Sequence, residues 1–157
     1  ELLEAAWLFD INKLDAIIET KSLIHALVNF SDGSTTAHIA NASMQLPIAY
    51  AILGKVDEPI LKHIDLLEVG SLEFKKIEEQ RYPIWGIKDE VLKNPNLGVV
   101  VNAANEVAVA KFLNGEIGFL DVSRITLDAV NHFHNMNPKS LEEIFACDSE
   151  VRAYSES

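Results

Sequence analysis

The chain has 157 residues, 48% of them hydrophobic and 24% charged, which is enough apolar material for one ordinary domain or two small units and too much for a disordered segment. A formal net charge of -11 argues against nucleic acid as a partner, because a phosphate backbone would be repelled over most of the surface and no Lys/Arg cluster offers a local exception. No apolar run approaches the roughly 20 residues of a membrane-spanning helix, and the single cysteine, Cys147, excludes an internal disulfide and fits a reducing compartment, so a cytoplasmic protein with no membrane partner is expected.

Residues 1–9 read as the middle of a helix with no N-cap before it, and neither an initiator Met nor a signal peptide precedes them; a chain cut from a longer one is expected. Ala16-Ile17-Ile18 is a short candidate strand. Ile24, Ala26, Val28 and Phe30 then alternate with His25, Leu27 and Asn29, Asp32-Gly33 supplies a tight turn, and Thr35, Ala37 and Ile39 resume the alternation, which predicts a hairpin. Residues 33–54 contain no Asp, Glu, Lys or Arg. Such a stretch is expected to be covered, as sheet core, subunit interface or active-site lining. Pro47 fits the first turn of a helix that Gly54 would close.

Leu72 and Phe74 alternate briefly before a charged run from Lys75 to Arg81, read as a linker. From Pro83 the pattern is helical, with Ile84, Ile87, Val91 and Leu92 on one face and Asn94-Pro95-Asn96 as the stop. A second helix is predicted from about residue 97 to 113 with Gly115 as its stop, and a third after Asp121 as N-cap, ending near Phe133. The fourth opens on Ser140-Leu-Glu-Glu143, a capping box. The fold class is therefore α+β: residues 1–75 as part of a sheet-containing domain, 76–82 as a linker, and 83–157 as a four-helix, bundle-like domain.

The chemistry-bearing residues are sparse. No GxGxxG or GxxxxGKS/T loop exists among the seven glycines, so no nucleotide cradle is recognisable. The histidines lack metal-ligand spacing, and Cys147 beside Asp148 reads as an inert core or boundary residue. Asn102, Asn105 and Glu106 share a helical face, but such groups more often tie down neighbouring structure than catalyse. Ser22 and His25 bracket the start of the strand that enters the uncharged stretch, which favours a partly buried histidine and raises the odds of a ligand contact. Glu1 and Glu4 share a helix face, ordinarily a solvated pair, and two carboxylates are too few for a divalent cation that takes about six oxygen ligands.

Taken together, three segments resemble the 1-deoxy-D-xylulose 5-phosphate reductoisomerase family. ELLEAAWLF resembles the segment that begins with a metal-binding glutamate. SLIHALVNFSDGSTTAHIANASMQLPIAYA is similar to the family's Ser-x-Ile-His strand, Asp-Gly hairpin and Met-x-x-Pro-Ile loop, and VNAANEVAVAKFLNGEIGFLDV to its Asn-Ala-Ala-Asn-Glu helix. The resemblance implies an NADPH-dependent enzyme that rearranges and reduces 1-deoxy-D-xylulose 5-phosphate with Mg²⁺ or Mn²⁺. It further implies a homodimer whose nucleotide domain and other metal ligands lie upstream. By position, Glu1 would be a metal ligand and substrate contact, His25 a catalytic polar support, Ser22 a substrate contact and Met44 an apolar pocket wall. Residues 1–75 would complete the central catalytic and dimerisation domain, and the piece alone would be inactive. Glu19-Thr20-Lys21 departs from the His-Pro-Gln found in many members. The competing reading is a noncatalytic dimerisation or interaction module built on the hairpin and bundle.

Overall fold

The computed structural model describes residues 1–157. In chain order it forms α1 (Leu2–Phe9), β1 (Ile18–Glu19), β2 (Ile24–Asn29), β3 (Thr35–Ile39), α2 (Gln45–Leu53), α3 (Leu66–Val69) and β4 (Phe74–Lys75). A 3-10 turn (Pro83–Ile87) follows, then α4 (Lys88–Lys93), α5 (Leu97–Leu113), α6 (Phe119–His132) and α7 (Leu141–Glu156). The class is α+β, as expected, and no helix is long and apolar enough to cross a membrane.

The chain divides into two compact units, residues 1–16 with 77–157, and residues 17–76. Residues 1–16 pack with the helices of the first unit, and the second unit ends at Lys76.

In the helical unit α5 is the central element. Val100, Ala103, Ala104, Val107 and Ala108 are all buried, and their three-and-four spacing makes one continuous apolar stripe. Small residues on that stripe let Ala129 and Val130 of α6 and Cys147 and Val151 of α7 close onto it as one core. Thr126, also buried, satisfies its hydroxyl by donating to the Val122 carbonyl at 2.8 Å. Leu2 and Leu3 of α1 line an apolar pocket with Ile84, Trp85, Val91 and Val101. Leu3 rests on Gly98, where an added β-carbon would stand 3.3 Å from its Cδ1. Beyond α1, Asp15 accepts from the Lys88 ammonium at 3.0 Å.

Two helix starts differ from expectation. Pro83 opens a 3-10 turn before α4 takes over at Lys88. The third predicted helix, α6, begins three residues earlier, with Gly118 as N-cap; Asp121 lies inside its first turn and accepts the Gly118 N–H at 2.9 Å. The capping box at Ser140 forms as read, its hydroxyl accepting the Glu143 N–H at 3.2 Å.

In the other unit β2 and β3 pair antiparallel, from Asn29↔Thr35 to Ile24↔Ile39, with an irregularity between Ile24 and Ala26. The turn is closed by the Phe30 N–H donating to the Ser34 carbonyl at 2.9 Å, with Gly33 at φ 90°, a conformation open to glycine at little cost. Of the candidate strand at 16–18 only Ile18 is paired, in β1 against β4, and the short α3, capped by Asp65, is an additional element. Pro47 sits in the first turn of α2, and Gly54 closes it at φ 68°. Every buried side chain belongs to the helical unit, so within this chain the uncharged stretch is left largely exposed.

Candidate functional site

Glu1 is the N-cap of α1 and makes no side-chain capping bond, so its carboxylate is fully exposed and free of a hydrogen-bond partner. The helix behind it is fixed by the packing of Leu2 and Leu3. Glu4, one turn on, is also exposed. Nowhere do three His, Cys, Asp or Glu side chains gather as a metal-binding group. A hard cation with about six oxygen ligands therefore finds no closed shell among residues 1–157. Glu1, an unpaired carboxylate on an anchored helix, fits as a single donor.

Ser22, His25 and Met44 belong to the second unit. The register sets the start of β2 against the end of β3, so Ser22 and His25 share the hairpin end from which the chain leads to Met44. Ser22 lies in the turn between β1 and β2 at φ 55°, in the left-handed region that a β-carbon disfavours. Glu19 holds that turn, its two carboxylate oxygens accepting the N–H groups of Lys21 and Leu23, each at 2.8 Å. These backbone bonds, that to Leu23 first, keep the Glu19 carboxyl below its ordinary range.

The His25 ring meets the Ala40 carbonyl through Nε2 at 3.0 Å. A carbonyl only accepts, so Nε2 is the ring nitrogen that donates here. His25 is exposed rather than partly buried, its ring 6.3 Å from that of His38. Met44 is the N-cap residue of α2 with 69% of its surface exposed, an apolar side chain at the head of a helix. Nearby, Asn41 fastens the following loop by donating to the Lys62 carbonyl at 2.9 Å.

Several of the other candidates have structural occupations. Glu106 accepts from Arg152 Nη2 at 2.6 Å, while Arg152 Nε donates to Asp148 at 2.7 Å; the two carboxylates, Asp148 foremost, raise the guanidinium's pKa. Asn102 and Asn105 stand exposed and make no side-chain hydrogen bond. His132 stacks on Tyr154 with ring centroids 4.4 Å apart, and His134 Nδ1 meets the Asn131 carbonyl at 2.8 Å. The residue that sequence reading passed over is Glu19, noticed only as a departure; the available signal was an acid placed two and four residues ahead of amides in a short loop.

Residues 39–154 match the family described as DXP reductoisomerase C-terminal domain. The 1-deoxy-D-xylulose 5-phosphate reductoisomerase of Nautilia profundicola is 57% identical over all 157 residues, which span 43% of that protein. That of Wolinella succinogenes is 49% identical over 154 residues, 98% of this chain and 43% of the relative. Among solved structures, the Zymomonas mobilis enzyme in complex with NADPH superposes with a TM-score of 0.86 at 34% identity, covering 99% of this chain and 42% of that one. A DOX-P reductoisomerase in complex with NADPH, fosmidomycin and magnesium gives 0.88 at 26% identity, covering 98% and 41%. The chain thus spans about two-fifths of the length of the relatives it matches, and on the family match and the end-to-end similarity it belongs to the DXP reductoisomerases, as their C-terminal portion.

Proposed function

We propose that this chain serves as the C-terminal portion of an enzyme converting 1-deoxy-D-xylulose 5-phosphate to 2-C-methyl-D-erythritol 4-phosphate, in the non-mevalonate (methylerythritol phosphate) route to isoprenoids. The observation that carries the reading is the 57% identity to a reductoisomerase along all 157 residues. Such an enzyme is an NADP-dependent oxidoreductase, and its relatives' complexes with NADPH and magnesium support the same cofactors here, with Mn²⁺ as an alternative metal. As part of this proposal, residues 1–75 contribute to the catalytic and dimerisation domain of a homodimer, with 1–16 packed on the helices, 76–82 link, and 83–157 form the C-terminal helical domain. A cytoplasmic setting accords with the single free thiol.

When bound, the divalent ion supplies Lewis acidity for the rearrangement, and NADPH supplies the hydride. This chain contributes the groups that hold and orient. Glu1 offers one carboxylate oxygen to the cation and orients the substrate's oxygens. Ser22 offers its hydroxyl to the substrate, and His25, its Nε2–H engaged by Ala40, presents its other ring nitrogen as a polar support. Met44 supplies an apolar wall that excludes water.

In the full-length enzyme Glu1→Gln keeps size and one oxygen but removes charge. Mn²⁺ affinity should fall, and kcat should stay depressed at saturating Mn²⁺ by on the order of 100-fold, because substrate orientation is lost as well. Glu4→Gln, one turn along the same helix, should do far less. Wild-type kcat and metal dependence in Glu1→Gln, or greater damage from Glu4→Gln, would contradict the assignment.

A further inference from the structure

Glu19 ends β1, and its carboxylate turns back over the loop that follows. One oxygen accepts the Lys21 N–H and the other the Leu23 N–H, each at 2.8 Å, so the two bonds bracket Ser22. The supporting main-chain bond, Ser22 N–H to the Glu19 carbonyl, is longer at 3.4 Å. A further tether comes from Lys21, whose ammonium donates to the Val69 carbonyl at 2.6 Å. Packing does not hold the turn, since Thr20, Lys21 and Ser22 are exposed and the unit contains no buried side chain. Yet Ser22 keeps φ 55° without being glycine. Two charge-assisted bonds from one carboxylate are the strongest local restraint available to do this. Without them two amides lose their partner, Ser22 is free to return to negative φ, and its hydroxyl swings to a different direction.

We propose that Glu19 is the positioning residue for Ser22, its carboxylate fixing the turn so that the serine hydroxyl meets the substrate in one orientation. The inference rests on the reading of Ser22 as a substrate contact. The Glu-Thr-Lys sequence at 19–21 is then a way of building the pocket entrance, with an acid at its foot that takes no part in the chemistry. Gln at 19 retains one acceptor oxygen and should keep one of the two bonds; Ala keeps neither.

The test is a double-mutant cycle in the full-length enzyme, measuring KM and kcat for 1-deoxy-D-xylulose 5-phosphate at saturating Mn²⁺ and NADPH. Glu19→Ala should raise KM roughly tenfold with kcat nearly unchanged, Glu19→Gln should fall between it and wild type, and in a Ser22→Ala background both effects should disappear. A KM that Glu19→Ala and Glu19→Gln leave unchanged, while Ser22→Ala raises it, overturns the positioning role and leaves the substrate contact standing. An equal rise with and without Ser22 also overturns it, because Glu19 would then act on the fold at large. If Ser22→Ala itself leaves KM unchanged, the substrate contact is wrong and the inference falls with it. Glu19→Gln serves as the milder variant should Glu19→Ala fail to fold.

Discussion

Cys147 shows how a side chain's chemistry is decided by its neighbours. It is 1% exposed in the core of α5, α6 and α7, and burial, with Glu150 and Asp148 nearby, pushes its thiol above the ordinary range. The thiolate is the reactive form, so the residue is doubly protected. Native protein should give no reaction at Cys147 with an aromatic disulfide reagent and full reaction after denaturation; a stoichiometric reaction in the native state would contradict the packing. The acid beside this cysteine was visible in the sequence, whereas its burial depended on three helices meeting. Glu106 was legible in the same limited way: its helical face could be read, but its partner Arg152 lies 46 positions away. Glu19 was legible only as an acid two and four residues ahead of loop amides, because its role exists only once the backbone of residues 21–23 has turned toward it. Glu1 is a lone exposed carboxylate by its residues, and only likeness to relatives singles it out.

At the scale of elements, local signals were read well and contacts between distant segments were not. Asp32-Gly33, Gly54 and the Ser140 box all act within a few residues, and all formed where the spacing put them. The pairing of β1 with β4 and the docking of α1 bring together residues more than fifty positions apart, which no local period encodes. The start of α6 is intermediate. The sequence points to Asp121 as its cap, but with glycine at 118 the carboxylate reaches back from inside the first turn, accepting the Gly118 N–H and the Arg124 Nε–H, both at 2.9 Å. The bond from Gly118, then Arg124, lowers the carboxyl's pKa. A depressed folded value stabilises the native state above the unfolded pKa of about 3.9, and that contribution is lost as pH falls through the folded value. The Gly118 amide resonance should therefore titrate with a midpoint below the ordinary Asp value, and Asp121→Asn should abolish the titration. A midpoint at or above that value would contradict the bond.

Over the whole molecule apolar burial is uneven. All the buried hydrophobic residues lie in the helical unit, while residues 17–76 expose Leu27, Val28, Phe30, Ile48 and Tyr50. Sixty residues without a buried side chain have little hydrophobic stabilisation of their own. On the proposed reading their cover comes from the rest of the catalytic domain and a second subunit. The absence of charge over residues 33–54 was a fair sequence signal that cover is needed; what supplies it could not be read from these residues. On the proposed reading this chain brings orienting groups to a reductoisomerase, with neither a nucleotide loop nor a closed metal shell among its own residues. NADPH oxidation with 1-deoxy-D-xylulose 5-phosphate and Mn²⁺ is the most direct test: the full-length protein containing this chain should turn over and residues 1–157 alone should not, whereas turnover by the 157-residue chain alone, or none by the full-length protein, would contradict it.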